Sequence, residues 1–128
     1  MTRNEDHKIQ VLVIGGSVET RTIIARFLSE TRDIQLIGSE ENGLNGISRA
    51  KETLPDTVLV DASTHDMNSI ELVKAIKSVT PTTKIIMMNR ANDPEWMRAA
   101  IQAGTNTFLN KPIDESELSQ AIYFLSQI

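Results

Sequence analysis

A chain of 128 residues with 40% apolar and 23% charged content suits one globular domain able to bury a proper core. Its net charge of −4, its pI near 5.1 and the lack of any Lys/Arg block argue against direct nucleic-acid binding. The absence of cysteine removes disulfide, zinc–thiolate and thiol chemistry, and no apolar run approaches the ~20 residues that cross a bilayer.

Residues 1–7 are polar and carry both charge signs, unlike a signal peptide. They are expected to be a disordered lead-in to a single domain over 8–128. The first apolar run, Ile9–Ile14, predicts a strand that ends on Gly15-Gly16-Ser17. Ser17 caps a helix from about Val18 to Thr31, with Ile23, Ile24, Phe27 and Leu28 inward. Ile34–Gly38 predicts a second strand. The second helix follows Asn42, carries Leu44, Ile47 and Leu54, and stops at Pro55. Thr57–Val60 reads as a third strand running directly into Asp61. A third helix follows Ser69, with Ile70, Val73, Ile76 and Val79 on one stripe. Lys84–Met88 is a fourth strand, just ahead of Asn89. Asp93-Pro94 caps and opens a fourth helix, which closes before Gly104. Thr107–Leu109 predicts a fifth strand, followed by Lys111-Pro112. Asp114 with Glu117 forms a capping box for a fifth helix whose Leu118, Ile122 and Leu125 face the core.

The five runs are rich in Val, Ile and Leu with little alternation, as in strands buried on both faces of a parallel sheet. Strict strand–helix alternation then predicts an α/β fold, a doubly wound five-stranded parallel sheet with five helices. Such sheets bind at the carboxyl ends of their strands. Gly15, Gly16, Asp61, Asn89 and Lys111 all stand at strand ends, so they are expected on one rim.

Several segments, taken in order, resemble the response-regulator receiver (CheY-like) domain, whose fold is flavodoxin-like. They are the first strand followed by Ser17-Val18-Glu19-Thr20-Arg21, Pro55-Asp56-Thr57-Val58-Leu59-Val60-Asp61, Ala103-Gly104 and Lys111-Pro112. The resemblance covers about Lys8 to Ile128. It implies that Asp61 matches the aspartate phosphorylated by a histidine kinase. It implies Mg²⁺ held by two acids after strand 1, the acceptor Asp, a backbone carbonyl and waters. It also implies a cis peptide before Pro112. At the acid-pair positions this chain has Gly15 and Gly16, which offer no carboxylate. Mg²⁺ needs hard oxygen ligands in near-octahedral array, and Asp61 alone supplies too few. Asn89 stands where the family has a hydroxyl residue, His65 where it has Pro, Ser69 where it has Gly, and Phe108 at the switching aromatic. Without the acid pair, Asp61 and Lys111 are expected to partner each other.

The expected function is therefore that of an atypical receiver: a protein-interaction module, cytoplasmic and not an enzyme, with no cofactor and no dependence on phosphorylation. The alternative is an active phosphoacceptor, with Mg²⁺ and phosphorylation on Asp61. The expected partner is a protein or a fused output domain. A homodimer through helix 4, strand 5 and helix 5 is also open, with Arg90, Trp96, Arg98, Phe108 and Tyr123 as candidate interface residues. A finer resemblance, to receiver-like domains fused ahead of pilus-assembly ATPases, rests on Ser17–Arg21, Pro81–Met88 and Met97–Ala100. Gly15-Gly16-Ser17 lacks the Gly-x-Gly-x-x-Gly and Gly-Lys-Ser/Thr patterns of phosphate loops, so a tight turn is the simpler reading. His7 and His65 have no metal-spaced partner, and Ser63, His65 and Asp66 lie too close in sequence to form a triad.

Overall fold

The structure, a computed structural model, describes residues 7–89 and 93–128. Strands and helices alternate strictly along the chain. The strands are β1 (Ile9–Ile14), β2 (Ile34–Glu40), β3 (Thr57–Asp61), β4 (Lys84–Asn89) and β5 (Thr107–Asn110). The helices are α1 (Val18–Ser29), α2 (Gly43–Thr53), α3 (Ser69–Val79), α4 (Pro94–Ala103) and α5 (Glu115–Leu125). All pairings are parallel, in the order β2-β1-β3-β4-β5. The β1–β2 ladder shifts after Val11↔Leu36, so that Leu12 faces Gly38 and Ile37 is left between.

β3 is central and every one of its residues is buried. Burying a Val or Leu side chain is worth roughly 1.5–3 kcal/mol, so Val58, Leu59 and Val60 anchor the sheet. Side chains alternate across it. Val11, Val13, Leu59, Ile86 and Leu109 pack under α1 and α5, while Leu12, Ile14, Val58, Val60, Ile85 and Met87 pack under α2, α3 and α4.

Four strands run beyond the expected ends, to Glu40, Asp61, Asn89 and Asn110. The ladder continues past the apolar run through polar residues, as in Asp61↔Met88 and Asn89↔Asn110. The expected caps are present at Ser17, Asp93 and Asp114, and Asn42 also caps α2. α3 begins one residue earlier than expected, at Ser69, because Asn68 accepts from the Ile70 and Glu71 amides. α1 ends at Ser29 rather than Thr31, and Ile23 on it is exposed; Ile24 and Leu28 are its buried residues.

α2 departs most from expectation. Leu44 and Leu54 are 67% and 61% exposed, and the buried face is Gly43, Gly46 and Ala50. The helix lies so close to β1 that a β-carbon at Gly46 would fall 2.5 Å from Ile14 Cδ1. Small residues permit that approach; Leu44 and Leu54 are turned outward, while Ile47 packs partly buried against the core. Of the expected lead-in, only His7 is described, and it is exposed; residues 1–6 lie outside the described residues. Among the described residues no helix is long and apolar enough to cross a membrane.

Candidate functional site

The strand order reverses between β1 and β3, and side chains at their carboxyl ends meet there. Asp61 closes β3 with its side chain completely buried. One carboxylate oxygen, Oδ2, takes the Lys111 ammonium, which arrives from the end of β5 and is 10% exposed. The other, Oδ1, accepts from the Ser63 amide at 2.8 Å and the Ser63 hydroxyl at 2.6 Å. The Thr64 hydroxyl donates to the Asp61 carbonyl at 2.6 Å. The expected Asp61–Lys111 contact is therefore present. The Lys111–Pro112 peptide is cis.

Gly15 and Gly16, at the end of β1, adjoin this carboxylate from the other side, both at positive φ. The Gly15 amide donates to the Glu40 carbonyl at 2.8 Å, and Arg21 Nη1 donates to the Gly16 carbonyl at 2.7 Å. Asn89 is buried at the end of β4 on the same rim. A cleft of about 370 Å³ opens beside it, floored by Asp61, Asn89 and Lys111 and walled by Asp93 and Trp96. Sequence reasoning thus brought the right five strand-end residues to one place.

The β3–α3 loop holds two contacts that sequence reasoning missed. One is the pair of hydrogen bonds that Ser63 donates to Asp61 Oδ1. The other joins Asp66, far along the chain, to the start of α2: its carboxylate accepts from Gly43 N at 2.7 Å and Leu44 N at 3.1 Å. The Gly43 hydrogen bond is the largest cause holding the Asp66 pKa below its ordinary 3.8; burial opposes it, and the Leu44 bond and nearby His65 assist. A carboxylate over two free helix amides also complements the helix dipole. With Ser63 and Asp66 so engaged and His65 exposed, no triad forms. Among the described residues no group of His and carboxylates could hold a metal ion.

The candidate interface residues are dispersed. Arg90 lies outside the described residues. Arg98 is exposed on α4. Trp96 and Phe108 are half-buried against each other, ring centroids 5.9 Å apart and planes inclined at 59°. Tyr123 packs against the core cluster under α1 and α5, and its hydroxyl donates to the Arg32 carbonyl in the loop after α1. The exposed apolar side chains of α4 and α5 are instead Ile101, at 56%, and Phe124, at 64%. Helical spacing could have flagged Phe124, since it breaks the Leu118, Ile122, Leu125 stripe.

Residues 11–123 match the response regulator receiver domain. The chain belongs to the response regulator receiver family. It is 27% identical over 114 residues to the response regulator protein VraR of Staphylococcus saprophyticus and of Staphylococcus epidermidis, covering 89% of this chain and 54% of each relative. The receiver thus spans about half the length of the curated relatives it matches. Two solved structures share its fold. The signal receiver domain of a putative response regulator, NarL, from Mycobacterium tuberculosis superposes with a TM-score of 0.88 at 23% identity, over 94% of this chain and 98% of that one. The response regulator domain of Thermotoga maritima CheB gives 0.86 at 24% identity, with the same coverage. The five parallel strands and five helices are those of a receiver domain in two-component signalling.

Proposed function

We propose that this receiver is an atypical one that signals through protein contacts without phosphorylation of Asp61, and that it is not an enzyme. The observation carrying this reading is the replacement of the two metal-holding acids by Gly15 and Gly16, which leaves Asp61 with Lys111 as its charged partner. Phosphoryl transfer to a carboxylate needs a cation to neutralise the phosphoryl oxygens. The residues present do not fit Mg²⁺: two ligand positions carry no side chain, and Asp61 Oδ2 is engaged by the ammonium. Asn89 in place of a hydroxyl, and a Phe108 without one that is packed against Trp96, also favour this reading.

The partner in this reading is a protein or a fused output domain, and the site of action is the cytoplasm. The face formed by α4, β5 and α5 is its contact surface, for that partner or for a second copy of the chain. Ile101 and Phe124 supply apolar area there and Arg98 supplies charge. Incubation with acetyl phosphate and Mg²⁺, followed by intact-mass measurement, tests the reading. The parent protein is expected to take no label. A Mg²⁺-dependent phosphoryl adduct that disappears in Asp61→Asn would establish the phosphoacceptor alternative.

A further inference from the structure

Gly15 and Gly16 do more than lack carboxylates. They stand in succession at φ +85° and +82°, where L side chains are rarely found. A β-carbon at Gly16 would lie 2.4 Å from Asp61 Oδ2 and 3.0 Å from its Cγ. One at Gly15 would lie 2.1 Å from Thr64 Oγ1. Neither neighbour is free to yield. Asp61 is buried and held by Ser63 and Lys111, and the Thr64 hydroxyl is bonded to the Asp61 carbonyl. The turn is itself secured on its far side, by the Glu40 carbonyl and by the Arg21 guanidinium.

We infer that the Gly15–Gly16 turn closes the β1 side of Asp61, and that the Lys111 ammonium is the resident cation of the site. A metal is then kept out by backbone shape as well as by loss of ligands. This rests on the proposed independence from phosphorylation and goes a step past it: restoring the two acids does not restore the metal site. Two added carboxylates would need a different backbone at both positions. They would also crowd a buried carboxylate whose one cation is already shared.

The test is the double variant Gly15→Asp/Gly16→Asp beside the parent. Mg²⁺ is titrated at millimolar concentration and followed by fluorescence of Trp96, which lines the same cleft. Melting temperature and acetyl-phosphate labelling are measured in parallel. The double variant is expected to melt lower than the parent, to show no saturable Mg²⁺ response and to take no label. A saturable response, a Mg²⁺-raised melting temperature or a label on the double variant, with the parent still inert, overturns the inference alone. A label on the parent overturns the proposed function instead. Should the double variant not fold, Gly16→Ala decides, since it adds only the β-carbon. It is expected to melt several degrees below the parent, and equal or higher melting overturns the inference.

Discussion

Neutralising Asp61 should destabilise this receiver. Asp61→Asn keeps the shape of the side chain but removes its charge and turns one acceptor into a donor. Oδ1 now receives two donors from Ser63, and Oδ2 receives the ammonium of Lys111. An amide must therefore point its NH₂ at one of these donor sets, whichever way it is flipped. Breaking a buried ion pair by removing one partner costs about 3–5 kcal/mol. Lys111 retains 10% exposure, and the amide oxygen still serves one side, so the low end, about 3 kcal/mol, is expected. For a domain of this size that lowers the melting temperature by about 10 °C. A site bearing two further acids would respond in the opposite sense, because removing one of three crowded carboxylates relieves repulsion. Urea unfolding of the parent, Asp61→Asn, Lys111→Met and the double variant, read at constant m, completes the cycle. A coupling of about 2 kcal/mol is expected. Asp61→Asn unfolding at or above the parent's midpoint would refute the argument that Lys111 depends on Asp61. Partner binding, measured well below both melting temperatures, should be unchanged.

Leu54 ends α2 at φ 47° and ψ 61° while 61% exposed, so Leu54→Gly should relieve left-handed strain. After the entropy cost of glycine the net gain is about 0.5 kcal/mol, visible as a small rise in urea midpoint. The pKa of Asp66 lies below 3.8 in the fold, so its latch on Gly43 and Leu44 is fully present above 3.8 and is lost as pH falls through the lower folded value. An NMR titration should show the Gly43 and Leu44 amides moving with a midpoint under 3.8; a midpoint above it counts against the latch. If α4, β5 and α5 form a self-association surface, Ile101→Ser with Phe124→Ser should shift sedimentation toward monomer. Trp96→Ala should instead lower thermal stability, by about 1–2 kcal/mol, because its ring leans on Phe108. An unchanged sedimentation profile in the first variant would move the interface elsewhere.

Residue order alone placed the five strands, the five helices and the rim on which Gly15, Gly16, Asp61, Asn89 and Lys111 converge. These features are local. Apolar runs, helical spacing and caps such as Ser17 and Asp93-Pro94 act within a few residues, and the winding of a parallel sheet follows from their alternation. That Gly15 and Gly16 carry no carboxylate was legible for the same reason, since it shows in the residue type. Long-range packing decided that the glycine turn takes a shape no β-carbon fits, that Ser63 shares Asp61 with Lys111, and that Asp66 caps a helix 23 residues upstream. It also decided that Leu44 faces out while Gly46 faces in, and that Tyr123 spends its hydroxyl on Arg32, 91 residues away. Such contacts join segments remote in sequence, and their cost or gain depends on the distance at which the fold sets two backbones, a quantity no local pattern records.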